Sequence, residues 1–271
     1  MKVNRIIATL LTSCIFLSGC SSNPKQVEET LTIVQEKAAS FADGENVDLW
    51  RSDYGGQDVY KLSDGTTLLT VQDPSGPANV YVGGVENFDD LSETAQKAVL
   101  TYYEEQGLLY DIQTELKKAY DEYLRCKKVG QKFNDFFISQ DITPTCSNDN
   151  IMCFLTSLTL PLGDRMAQEL RLGAVFDKKT GEALSIWDLF SSPENESKKQ
   201  LLDAAQIEDT TLVSEIDNAL KDECVILFPD NLEISFPQGV LPSQEHSFIV
   251  GIDYADLQGI IQNWAIPYSA K

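Results

Sequence analysis

The sequence predicts an α+β fold: a mainly antiparallel sheet packed by helices, with a small N-terminal β meander and a helical pair. Three observations predict it. Short β-rich runs bounded by turn residues cluster at 46–85 and again between 133 and 254. Helical patterns come in blocks, at 92–128 and 194–221, instead of following each strand. Such blocks argue against the regular alternation of a parallel α/β sheet. Finally, the 271 residues are 42% hydrophobic and 23% charged, a globular composition long enough for one large domain or two small ones.

Each element has its own signal. Val27, Leu31, Val34, Ala38 and Phe41 are spaced as one face of a helix, although the run Thr30–Val34 also suits a strand. The runs 58–62, 67–71 and 79–82 alternate with Gly55-Gly56, Ser63-Asp64-Gly65 and Pro74-Ser75-Gly76-Pro77, as in an antiparallel meander. Ser92 is placed to cap a helix whose Ala95, Val99, Tyr102 and Tyr103 share a face, and Gly107 breaks it. A second helix carries Ile112, Leu116, Ala119, Tyr120, Tyr123 and Leu124 on its apolar side and closes at Gly130. Residues 133–162 read as a hairpin about Ser147-Asn148-Asp149-Asn150, with a strand over 170–176 and a tight turn over 177–181. Ser185 caps a short helical turn ending at Phe190. Residues 194–221 form two helical pieces divided near Asp209. A hairpin over 224–236, a strand over 247–252 and a last helix over 255–264 complete the reading.

The N-terminus points to a compartment. Lys2 and Arg5 precede an apolar run, 6–16, that ends in Leu17-Ser18-Gly19-Cys20. The run is shorter than the ~20 residues of a membrane-spanning helix and has the build of a secretory signal. Leu-Ser-Gly-Cys resembles the bacterial lipobox. That resemblance implies cleavage before Cys20 and transfer of a diacylglyceryl group to its thiol. The chain would then be lipid-anchored at the extracytoplasmic face of the cell membrane, where two or three acyl chains hold stably. The expected organisation is a signal peptide at 1–19, a tether with a helix or strand at 20–45, the meander and helical pair at 46–130, and a C-terminal α+β domain at 131–271.

Charge and cysteines narrow the function. The 42 Asp and Glu against 21 Lys and Arg leave a net charge of −21. That argues against a clustered basic surface for nucleic acid and against a polybasic grip on anionic lipid. With Cys14 in the signal and Cys20 lipidated, Cys126, Cys146, Cys153 and Cys224 remain. They can pair in more than one way, or pack as four buried thiols. A hairpin about 147–150 puts Cys146 and Cys153 on one face. No Cys-x-x-Cys occurs and His246 is the sole histidine, so no zinc site is expected. The same count rules out a His-Glu-x-x-His helix, and neither a Gly-x-Ser-x-Gly elbow nor a Gly-rich phosphate loop is present. No catalytic residue and no cofactor are predicted. Glu86 with Asp89-Asp90, Asp121-Glu122 and Glu208-Asp209 read as solvated faces, and Asp149 as a turn residue. The tyrosines 102, 103, 110, 120 and 123 fit a core, or else a surface that stacks on a ligand.

Residues 174–190 (AVFDKKTGEALSIWDLF) and 225–254 (VILFPDNLEISFPQGVLPSQEHSFIVGIDY) resemble the RsiV-like C-terminal domain of unknown function. That domain occurs in ectodomains of lysozyme-sensing anti-sigma factors and in many bacterial lipoproteins. The resemblance covers roughly 130–265. It implies a mixed sheet packed by helices and an extracytoplasmic ligand-binding surface. Within it, Phe176, Asp177, Thr180 and Gly181 read as scaffold. Phe176 points inward, Asp177 and Thr180 bond turn amides, and Gly181 accepts positive φ. Leu184, Trp187, Leu189 and Phe190 bury the following turn. An anti-sigma factor also needs a cytoplasmic helix pair and a membrane span, which this sequence does not suggest. The function expected is a non-enzymatic binding or sensing lipoprotein for a basic extracellular protein such as lysozyme. The alternatives are an envelope structural or assembly lipoprotein, and a wall-glycan hydrolase using two carboxylates.

Overall fold

A computed structural model describes residues 86–162 and 166–267, and before them the stretches 32–34, 39–40, 46–47, 49–53, 56–72 and 76–77. The expected signal peptide, Cys20 and the run 79–82 lie outside the described residues. The strands are β1 (Thr32–Val34), β2 (Ala39–Ser40), β3 (Asn46–Val47), β4 (Leu49–Asp53), β5 (Gln57–Leu62) and β6 (Thr67–Gln72). Helices α1 (Glu93–Gln106) and α2 (Ile112–Val129) follow. Next come β7 (Phe136–Ser147), β8 (Ile151–Leu162), β9 (Met166–Asp177) and the short β10 (Ala183–Leu184). Helices α3 (Glu194–Ala204) and α4 (Thr210–Ala219) precede β11 (Val225–Leu227), β12 (Asn231–Phe236) and β13 (Phe248–Asp253).

Among the described residues the strands form three sheets. The largest runs β1-β4-β5-β6-β7-β8-β9-β10, a second runs β11-β12-β13, and β2 pairs with β3. Neighbours are antiparallel except β6 and β7, which run parallel with Leu69 opposite Phe136. The fold is therefore α+β with a mainly antiparallel sheet, as the sequence predicts. The meander and the C-terminal strands share one sheet through that parallel joint.

Local chemistry explains the elements. The Ser92 hydroxyl accepts from the Ala95 N–H to open α1, and the Asp111 carboxylate accepts from the Thr114 N–H at 2.8 Å to open α2. Each such cap is worth ~1 kcal/mol. Lys127 and Lys128 in the last turn of α2 complement its dipole. Strand β8 is buried on both faces. Met152 and Phe154 join the core under α1, while Ile151 and Cys153 join the core shared with the second sheet, α3 and α4. That double burial makes 151–155 a near-continuous apolar run instead of an alternating one. A third core lies between α2 and β5, β6 and the start of β7. The Arg171 guanidinium in β9 reaches the Glu233 carboxylate in β12 at 2.8 Å and ties the two larger sheets together.

Two expectations change. Where described, the 26–42 segment is extended. Thr32–Val34 pairs with Arg51–Asp53, so the strand alternative applies there and the helical stripe does not. The last helix is also replaced. Residues 254–262 make tight turns and 263–265 a single 3-10 turn. Gly259 takes φ +77°, which interrupts a helix. The groups around it are bound elsewhere: the Gln262 amide donates to the carbonyls of Asp188 and Phe190, and Ile261 bridges Phe190.

Candidate functional site

The candidate site grows out of the turn after β9. The Asp177 carboxylate accepts from the N–H groups of Thr180 (2.8 Å) and Lys179 (2.9 Å) and from the Thr180 hydroxyl (3.1 Å). These bonds, the Thr180 N–H foremost, hold its carboxyl below the usual range. Gly181 closes the turn at φ +73°, and a Cβ there would meet the Ala95 carbonyl oxygen at 2.3 Å. The turn thus docks on α1, as only glycine allows. It sends β10 back along β9, with Ala183 opposite Phe176 and Leu184 opposite Val175.

Beyond β10 the chain meets a second anchor. The Ser185 hydroxyl donates to the Asp222 carboxylate at 2.6 Å, and the Ile186 N–H donates to the same oxygen at 3.2 Å. The Trp187 N–H donates back to the Ser185 hydroxyl at 3.3 Å. Trp187, Leu189 and Phe190 of this short turn are buried, with Lys198 over the Trp187 ring. On the other side, Gly173 lies so close to β11 that a Cβ would stand 2.2 Å from the Val225 carbonyl oxygen.

These contacts leave a cavity of 330 Å³. Its walls include Gly173, Val175 and Leu184, and Tyr102, Asp222 and Glu223 bring the polar groups. The Tyr102 ring packs edge-on against Tyr103 and Phe176, both at 5.1 Å. Burial pushes its phenol up, and the charges of Glu223 and Asp222 add to that, so the hydroxyl stays protonated at neutral pH. Lys221 stands 3.9 Å from Glu223 but is itself 72% exposed, where such pairs are weak. The cavity therefore offers two carboxylates, one pinned by two donors, beside a phenol and apolar walls. That set accepts hydrogen bonds from a cationic group. It contains no histidine, and among the described residues no cluster of His, Cys, Asp or Glu is placed to hold a metal.

The other singled-out residues lie as follows. Phe176 is fully buried under α1. Tyr103 is buried against Phe154 and Phe176, and Tyr120 stacks with Tyr123 against the α2 core. The tyrosines thus serve mainly as core, and Tyr102 reaches the cavity. His246 is exposed in the loop between β12 and β13. Among the described residues the cysteines are thiols. Cys146 and Cys153 are directly opposed across β7 and β8. Cys126 lies in α2 with its sulfur 3.6 Å from the Glu122 carboxylate, and Cys224 lies near the Ala219 carbonyl. Sequence reasoning missed Asp222 and Glu223, because nothing local separates them from the other acids. Their role comes from Ser185, 37 residues away.

No helix among the described residues is long and apolar enough to cross a membrane. No protein-family model matches the sequence, and no curated protein does. Solved structures similar to it include two from the DUF3298 family. A DUF3298 family protein from Pseudomonas aeruginosa matches over 48% of this chain at 17% identity with a TM-score of 0.32, and the chain spans only 65% of that protein's length. A member of the DUF3298 family from Bacteroides fragilis matches over 88% of this chain and 94% of its own, at 11% identity with a TM-score of 0.45. At such identities and scores the likeness bears on no activity or ligand, and what it supplies is that the chain's structural neighbours are DUF3298 family proteins, a domain of unknown function.

Proposed function

We propose that the protein is a non-enzymatic extracytoplasmic binding or sensing module, lipid-anchored at Cys20, whose cavity takes a Lys or Arg side chain of a basic protein ligand such as lysozyme. The observation that carries this reading is the make-up of the cavity: apolar walls, two carboxylates and a protonated phenol. Long cationic side chains lay their stems on apolar surface and keep the charge at a polar site. Asp222 is already held by Ser185 and Ile186, so little ordering remains when a cation arrives. The net charge of −21 steers basic partners toward the surface. Asp222 and Glu223 are chain neighbours, unlike the separated carboxylate pair that cleaves glycosides across a bond.

The test is calorimetric titration of residues 21–271 with lysozyme at low and physiological salt, beside an equally basic unrelated protein. Saturable binding that persists in salt, is absent from the control and weakens at least about tenfold in Glu223→Gln supports the reading. Heat that vanishes with salt, or equals the control, reduces it to charge attraction. The envelope structural role then becomes the stronger reading, to be pursued by crosslinking in cells.

A further inference from the structure

Cys146 in β7 and Cys153 in β8 are partners in the antiparallel ladder, and each is 1% exposed. Their hairpin closes two residues further on. There the Asn148 N–H donates to the Ile151 carbonyl, and the Ile151 N–H donates to the Asn148 side-chain oxygen, both at 3.0 Å. Ladder pairs alternate in type, so Cys146 and Cys153 repeat the phase of that closing pair. Pairs of this phase have Cα atoms about 5.5 Å apart, within the ~4.4–6.8 Å that disulfides span. Both side chains leave the sheet on the face that also carries Val175. The Cys146 thiol donates to the Leu227 carbonyl at 3.3 Å. Register, burial and direction thus bring these two sulfurs together, whereas Cys126 and Cys224 sit on other elements, α2 and the turn before β11.

We propose that Cys146 and Cys153 are a redox pair, oxidised to a cross-strand disulfide by an external disulfide while the hairpin is open, and sealed in that state when the body closes over it. One cysteine thiolate attacks a sulfur of the external disulfide, whose S–S bond breaks and releases one thiolate. The second cysteine thiolate attacks the resulting mixed disulfide at the protein sulfur. The Cys146–Cys153 bond forms and the second external thiolate leaves. The two electrons and the two cysteine protons end on two external thiols. In the closed body the neighbouring Cys146, and burial, push the Cys153 thiol up. The attacking thiolate is then scarce and no reagent reaches it, so whichever state is folded in persists.

The full chain is unfolded in guanidinium, refolded in an oxidising glutathione buffer, denatured again with an alkylating reagent, digested and mapped by mass spectrometry. The expected result is a peptide pair joining Cys146 to Cys153, lighter by two hydrogens than the dithiol and separated by reductant. The double variant Cys126→Ser with Cys224→Ser should give the same bridge. Chain refolded under reductant and then exposed to oxidised glutathione should form the bridge at least about tenfold more slowly than during refolding. Alkylation of both Cys146 and Cys153 after oxidising refolding, or a bridge from either to another cysteine, would overturn the proposal.

Discussion

Asn148 sits at the tip of the β7–β8 hairpin, yet it is only 3% exposed. Its side-chain nitrogen donates to the Trp264 and Ile266 carbonyls at 3.0 and 2.9 Å, and its side-chain oxygen accepts from the Asn150 and Ile151 N–H groups. One residue therefore closes a turn and clamps the C-terminal segment onto it. Asn148→Ala takes the acceptor from the buried Ile151 N–H and the donor from the Ile266 carbonyl, and we expect a loss of about 2 kcal/mol in a urea midpoint measurement. Asn148→Asp keeps the acceptor and loses the donors, and should fall between. Asp177 makes a different prediction. Its folded carboxyl lies below the unfolded value, so its contribution is complete above the unfolded value and disappears as pH falls through the folded one. Asp177→Asn should flatten the decline in stability between roughly pH 5 and pH 2, seen in urea midpoints taken across that range. An unchanged acid limb would show that the turn bonds do not report on folding. The two residues also differ in how readable they are. The bonds of Asp177 stay within three residues, and the Asp-Lys-Lys-Thr-Gly pattern announces them. Those of Asn148 reach 116 and 118 residues along the chain, where no local pattern extends.

Elements were legible where their causes were local. The caps at Ser92 and Ser185, the division near Asp209 and the breaks at Gly107 and Gly130 all lie within a few residues of the helices they bound. The segment 255–264 has a helical spacing, but its backbone is recruited by the Trp187–Phe190 turn, a tertiary fact. The cavity was the least legible part, because it forms where β9, β10, α1 and the turn before β11 meet. Gly173 sets that meeting. Gly173→Ala drives a Cβ into the Val225 backbone at 2.2 Å, which only a shift of β11 from β9 relieves. We expect a loss of about 1–3 kcal/mol and weaker ligand binding. Gly251→Ala is the control, since the atom it meets at 2.8 Å is the Asn231 side-chain amide, which can swing aside. Equal midpoints for the two variants in a denaturant series would count against a β9–β11 seam.

At the scale of the molecule, charge and attachment act together. Without Lys2 and Arg5 of the signal, the anchored body keeps all 42 acids against 19 bases and is repelled by an anionic bilayer, so the proposed lipid at Cys20 has to hold it there against that repulsion. Cys20→Ser should move the protein from the membrane fraction to the soluble fraction and abolish labelling by a palmitate analogue. Retention in the membrane fraction would mean that something other than the acyl chains holds it. The sheet itself has a lasting asymmetry: every pairing in it joins antiparallel neighbours except that of β6 with β7, and between those two lies all of α1 and α2. On a ribosome, or in a channel that passes the chain N-terminus first, β6 is finished while its neighbour is still unmade. Through that interval its N–H and C=O groups form an open strand edge, ready to take any extended segment nearby. Whatever escorts the half-made chain has to guard that edge until Phe136 emerges.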